Sequence, residues 1–326
     1  MESKYKLKSS LANEMQMFLK LKRMSGFKYE KEAKLLEVFD KYCCKIGFSG
    51  KALTRKLVDG FCYGIYYEKD TTRYDKEKLL SGFGKYLSQN GYNSYICPKI
   101  SAPKKRAFKP YIYSEEELDR FFKAIDRYPP HPLSNRHLVD PLMFRMIYGC
   151  GLRLSEALNL KLENVDTREG TITILGAKNG KDRRIPMADS LTKRCKNYLK
   201  DMHVFSSNDT YYFKNSSGLR LDRSTAYKRF REYLWSAGIS HSGHGPRIQD
   251  LRHVYCVNCL KKWVLQGKDL TNLFPYLSAY LGHADFRGTQ YYLRLTADLY
   301  PHIIAKTEAA LGYLIPERSP HEENNE

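Results

Sequence analysis

The stretch CPKISAPKKRAFKPY, residues 97–111, constrains this chain more than any other. It holds three prolines and five basic residues and shows no helical period. Proline disfavours a helix interior and the charges disfavour burial, so the segment reads as an exposed, extended linker. A chain interrupted in this way divides in two, which suits 326 residues on the usual size of ~100–200 residues per domain. Just beyond it, Ser114 and Glu117 form a capping box that opens the helix EEELDRFFKAID. The predicted organisation is a first domain over 1–96, a basic linker over 97–112, a second domain over 113–314, and a disordered acidic tail over 315–326.

The first domain reads as four helices. SLANEMQMFLKLKRMSG has Ser10 as an expected cap, Leu11, Met15, Phe18 and Leu21 at helical spacing, and Gly26 near its stop. KEAKLLEVFDKYCCKIG ends at Gly47; TRKLVDGFCYGIYY and TRYDKEKLLSGFGKYLSQNG complete the set. Phe61, Tyr63, Tyr66 and Tyr67 are expected to furnish its core. Charge is concentrated here. Residues 1–110 carry 24 basic and 11 acidic side chains, a net of +13 out of +19 for the whole chain. Such a field points to a polyanionic partner, nucleic acid before membrane.

The second part is mostly helical with a small β-sheet, so the fold class is α with a minor β component. HLVDPLMFRMIYGCG and LSEALNLKL read as helices. TITIL alternates like a strand, with DRRIPM as its partner across GAKNGK. Further helices are expected near 189–202, 222–237, 250–266 and 276–282, and the amphipathic ADLYPHIIAKTEAALGYL follows. No stretch reaches the ~18 apolar residues of a membrane span, and MESKYKLKSS lacks a signal-peptide core. A cytoplasmic protein is expected, with its eight cysteines mostly buried as small hydrophobes. Cys256 and Cys259 have metal-ligand spacing but no second pair to complete a zinc site. The chain also lacks a phosphate-binding GxxxxGK[ST] loop and an evident acidic metal triad.

Three clusters could carry chemistry. In YGCGLRLSEALNL, Arg153 emerges at a helix start, where the dipole favours an anion, and Glu156 could hold its guanidinium in plane. In RIQDLRHVYCV, Arg252 sits within an apolar helix, flanked by Asp250 and His253. Buried arginines are rare unless paired or functional. In LSAYLGHADFRGTQYYLRL, Gly282 and His283 end one helix and the adjacent Tyr291 and Tyr292 lie on the next.

Together, in this order, the segments resemble the tyrosine recombinases, also called phage-integrase-type site-specific recombinases. GLRLSE is similar to the family's first arginine box, GAKNGKDRRIPM to its glycine-lysine hairpin, IQDLRH to its HxLRH box, and LGHADFRGTQYY to its LGH-to-tyrosine box. The resemblance spans about residues 10–310 and implies a helical core-binding domain followed by a catalytic domain. It implies Arg153, Lys178, Arg252 and His283 as catalytic residues, and Tyr292, nine residues past His283, as the nucleophile. Gln249 stands where the family usually has histidine; it can hydrogen-bond a phosphate oxygen but cannot take up a proton as imidazole does. The implied reaction cleaves and rejoins double-stranded DNA through a 3′-phosphotyrosyl bond and needs no metal, ATP or other cofactor. Implied partners are duplex DNA, touched by Lys104, Lys105, Arg106 and Lys109, and three further copies in a synaptic tetramer; Leu299, Ile303, Ile304 and Leu311 fit docking on a neighbouring copy and equally fit docking in cis. An accessory DNA-bending factor fits the same scheme, as does association with the bacterial nucleoid. Two alternatives share these residues: strand relaxation of the type IB topoisomerase kind, and a DNA-binding protein whose catalysis has degraded at Gln249.

Overall fold

In the computed structural model, residues 6–98, 102–103, 109–176, 182–283 and 287–299 are described. The chain forms two compact units, Met1–Phe108 and Lys109–Glu326.

Unit one holds α1 (Ala12–Met24), α2 (Glu30–Lys45), α3 (Arg55–Tyr63) and α4 (Asp70–Gln89). Their apolar faces meet around Phe18, Leu36, Phe39, Phe61, Leu80 and Phe83, all buried. Gly26, Gly47 and Gly91 follow the ends of α1, α2 and α4 with positive φ, where a side chain would be strained.

Two expectations fail in this unit. Ser10 does not cap α1; its hydroxyl donates instead to the carbonyls of Phe48 and Gly50, at 3.0 and 2.7 Å. The start of α1 is anchored from a distance by the buried Asp40 carboxylate, which accepts the Lys8 and Ser9 N–H groups, each at 2.9 Å. The tyrosines also differ from the predicted core. Phe61 is buried, but Tyr63, Tyr66 and Tyr67 are 56%, 86% and 92% exposed. The helix stops at Tyr63, so the residues beyond it leave the face that the periodicity assigned to them.

Unit two opens with α5 (Glu115–Asp126), whose capping box is formed in both directions: Ser114 Oγ accepts Glu117 N–H, and Glu117 returns the bond to Ser114 N–H. The chain continues through α6 (Arg136–Gly149) and α7 (Leu154–Asn159), the latter shorter than its sequence suggests. A three-stranded antiparallel sheet follows, β1 (Val165–Asp166), β2 (Thr171–Ile174) and β3 (Arg183–Pro186), with Ile172 opposite Ile185. β1 has two residues, too few to show a period in the sequence.

Helices α8 (Asp189–Met202), α9 (Arg223–Ser236), α10 (Ile248–Leu265), α11 (Leu270–Leu281) and α12 (Arg287–Leu299) complete the described fold. α11 starts six residues earlier than expected. Asp269 caps it through Thr271 N–H, and Pro275 sits inside the helix rather than before it. A core including Phe121, Phe144, Ile147, Phe230 and Leu251 joins α5, α6, α9 and α10, while Leu260, Phe274 and Leu293 belong to a second cluster on α10, α11 and α12. Six of the eight cysteines are buried; Cys44 is exposed and Cys259 half-buried. No described helix is long and apolar enough to cross a membrane. Much of the expected linker, the hairpin tip at 177–181 and everything after Leu299 lie outside the described residues.

Candidate active site

Three turns deliver the site. The first is the α6–α7 junction, where Gly151 has φ +57° and an added Cβ would sit 2.9 Å from Leu281 and 3.1 Å from Tyr255. Only glycine makes this bend at such close range. Arg153 follows as the residue before α7, and its own N–H donates to Glu156 Oε2 at 2.8 Å while its Nη1 donates to Oε1 at 2.7 Å. The second is the turn after α11. Gly282 has φ +65°, and a Cβ there would meet the Arg183 guanidinium at 2.7 Å. The third is the start of α10, which carries Gln249 in its first turn and Arg252 and His253 one turn on.

Glu156 is the centre of the arrangement. It is buried, yet Arg153, Arg183 and Arg252 all approach it: Arg183 donates twice, at 3.1 and 2.9 Å, and Arg252 lies 3.9 Å away. Burial alone would raise its pKa, but the Arg183 bonds, the Arg153 N–H and the surrounding positive charge hold the carboxyl below its ordinary value.

Arg252 is 1% exposed. It donates to the carbonyls of Gly151 at 2.6 Å and Leu281 at 2.7 Å, and its Nη2 lies 3.2 Å from His283 Nε2. Burial, and then the charge of Arg153, push its pKa down. Three guanidiniums therefore share one carboxylate. The local excess of positive charge, partly buried, favours an anion.

His283 bonds Thr289, itself fully buried, through Nδ1 at 2.6 Å. Arg252 donates to Nε2, which places the imidazole proton on Nδ1. The Tyr292 ring stacks near-parallel to His283 at 6.1 Å, and its hydroxyl is 2.8 Å from His253 Nδ1. Tyr292 is 3% exposed, and burial foremost, with Cys256 next, raises its pKa. Tyr291, next to it in sequence, is 37% exposed. Burial, then Arg252 and Arg247, lower His253 to about 4.

Of the expected catalytic residues, Arg153, Arg252, His283 and Tyr292 come together. Gln249 is half-buried in the first turn of α10, one turn before Arg252. Lys178 lies outside the described residues, as do Lys104, Lys105 and Arg106; Lys109 is exposed. Arg183 and Thr289 were not singled out from the sequence. Strand alternation could have found Arg183, because it shares the inward face of β3 with Ile185 while Arg184 points out. Thr289 had no comparable signal.

Comparison with known proteins identifies the family and the fold. The model of the "Phage integrase family" matches residues 112–298. A candidate integrase/recombinase of Sinorhizobium fredii, y4rB, is 33% identical over 237 residues, covering 69% of this chain and 74% of that protein. Tyrosine recombinase XerA of Pyrococcus furiosus is 31% identical over 215 residues, 65% of this chain and 66% of that one. The fold is similar to that of a lambda integrase dimer bound to a COC′ core site, with a TM-score of 0.60 and 16% identity, covering 86% of this chain and 76% of that one. With more than half of its length matched by the family model and the arginine–tyrosine cluster assembled, the chain belongs to the phage integrase family of tyrosine recombinases.

Proposed function

We propose that the protein is a site-specific recombinase of double-stranded DNA, in which Tyr292 cuts a strand and holds it as a 3′-phosphotyrosyl bond. One observation carries this reading. Arg153, Arg183 and Arg252 surround a single carboxylate, and the buried Arg252 charge acts on the Tyr292 hydroxyl. A backbone phosphate would supply the missing negative charge. As the phosphorus becomes five-coordinate, charge gathers on its nonbridging oxygens, where the planar forks of Arg153 and Arg252 bind best. Gln249 adds a hydrogen bond to such an oxygen, and His283 steadies the Arg252 fork. Lys178 protonates the departing 5′ oxygen, a poor leaving group otherwise. The tyrosyl ester conserves the energy of the broken diester, so a 5′ hydroxyl from another duplex can reverse the step without ATP.

DNA is gripped by the basic residues of 1–96 and, along 97–112, by Lys104, Lys105, Arg106 and Lys109, with 113–314 performing the chemistry. Binding of this kind weakens steeply with salt through counterion release. Strand exchange pairs two duplexes in a tetramer of this chain, with Leu299, Ile303, Ile304 and Leu311 on the docking surface. Tyr292 is 3% exposed, so the duplex must open a path that brings the phosphate to its hydroxyl.

A nicked suicide substrate carrying the recombination site tests the assignment. Parent protein and Tyr291→Phe form the covalent adduct, whereas Tyr292→Phe does not; the reverse pattern overturns it. A parent protein that binds the duplex tightly and never forms an adduct would instead be a DNA-binding protein without catalysis.

A further inference from the structure

We infer that His253 is the base that takes the phenolic proton of Tyr292 during attack, an inference that rests on the nucleophile role proposed above. The starting point is Gln249, whose amide cannot accept a proton. His253 lies four residues further along α10, one turn on and on the same side of the helix. Its Nδ1 is 2.8 Å from the Tyr292 hydroxyl, and the two rings lie 5.4 Å apart. No further approach is needed for a proton to cross that distance.

The surroundings suit the task. For Nδ1 to accept, the ring proton must sit on Nε2, and the buried Asp250 carboxylate lies 4.0 Å from that atom. A negative charge on that side favours this tautomer and favours the imidazolium once it forms. The groups facing the ring include Arg247, Asp250 and Arg252 of α10 and its cap, and Tyr292 of α12. Burial, then the two guanidiniums, keep the ring neutral at neutral pH but weaken it as a base. A phosphate seated on Arg252 offsets one of those charges and raises the ring's proton affinity when substrate is present.

The step balances. The bond between Tyr292 Oη and phosphorus forms as the bond from phosphorus to the 5′ oxygen breaks. The phenolic proton passes to His253 Nδ1. The 5′ oxygen leaves with its electron pair and is protonated by the Lys178 ammonium, and religation returns both protons.

The test uses the full-length chain and the same nicked substrate. His253→Gln keeps polarity without basicity and is expected to form adduct about 10²–10⁴ times more slowly, the usual contribution of such proton transfer, while binding the duplex as before. His253→Ala is expected to be slow and to recover as imidazole is added, a response that a purely structural role would not give. A His253→Gln protein within threefold of the parent rate overturns the inference, as does a faster one, which would make the contact a restraint on the nucleophile. A slow His253→Ala protein that imidazole leaves slow also overturns it. Tyr292→Phe runs alongside. If it still forms adduct, the nucleophile assignment has failed; if it does not while His253→Gln is unimpaired, only the base role has failed.

Discussion

Replacing Glu156 by glutamine probes the logic of the whole site. The carboxylate is 7% exposed and accepts from Arg153 N–H, Arg153 Nη1 and both terminal nitrogens of Arg183, with Arg252 at 3.9 Å. Glutamine keeps the shape, but it removes the charge and turns one acceptor oxygen into a donor that faces other donors. Removing one partner of a buried ion pair costs about 3–5 kcal/mol, because the remaining charge stays uncompensated. For a unit of this size each kcal/mol moves Tm by about 2–4 °C, so a fall of roughly 6–20 °C is expected in thermal unfolding.

Two further readings accompany it. Glu156 has a lowered pKa in the fold, so its contribution is complete above its ordinary value of 4.5 and is lost as pH falls through the lower folded value. The stability difference between parent and Glu156→Gln should therefore shrink in that acidic range. Sulfate or duplex DNA should raise the Tm of the variant more than that of the parent, since an anion replaces the missing charge. A variant that melts with the parent, or that gains nothing extra from anions, would refute the view that this carboxylate holds three guanidiniums against their mutual repulsion.

Two other substitutions test the supporting architecture. Gly282→Ala forces a non-glycine residue to φ +65° and sets a Cβ 2.7 Å from the Arg183 guanidinium; a loss of about 1–2 kcal/mol from the backbone alone, plus a larger drop in adduct rate as Arg183 shifts, is expected in denaturant melts and cleavage assays. Asp40→Ala removes the acceptor for the Lys8 and Ser9 N–H groups and should destabilise unit one by about 1–3 kcal/mol, leaving unit two unchanged in hydrogen exchange.

How far the sequence reads depends on the range of each interaction. The capping box at Ser114 was legible because both partners lie within one turn. Most helices of both units were legible for the same reason, since a 3.6-residue period needs no distant information. Ser10 was misread because its hydroxyl is taken by carbonyls 38 and 40 residues away. Tyr66 and Tyr67 were misread because the periodicity was extended past the point where α3 ends, at Tyr63, itself 56% exposed.

The chain by itself determined the residue types of the chemistry and the places where the backbone must bend. Gly151 and Gly282 sit where they do because positive φ and close approach exclude other residues. Tertiary structure decided which of those residues meet. It brought Arg183 from β3 onto Glu156, seated Thr289 on His283, and put the Tyr292 rather than the Tyr291 hydroxyl against His253, 39 residues away. The physical reason is that charge compensation and burial are properties of a shared volume. A guanidinium's need for a carboxylate is written at its own position, but which carboxylate answers it is settled when α7, α10, α11, α12 and β3 pack together.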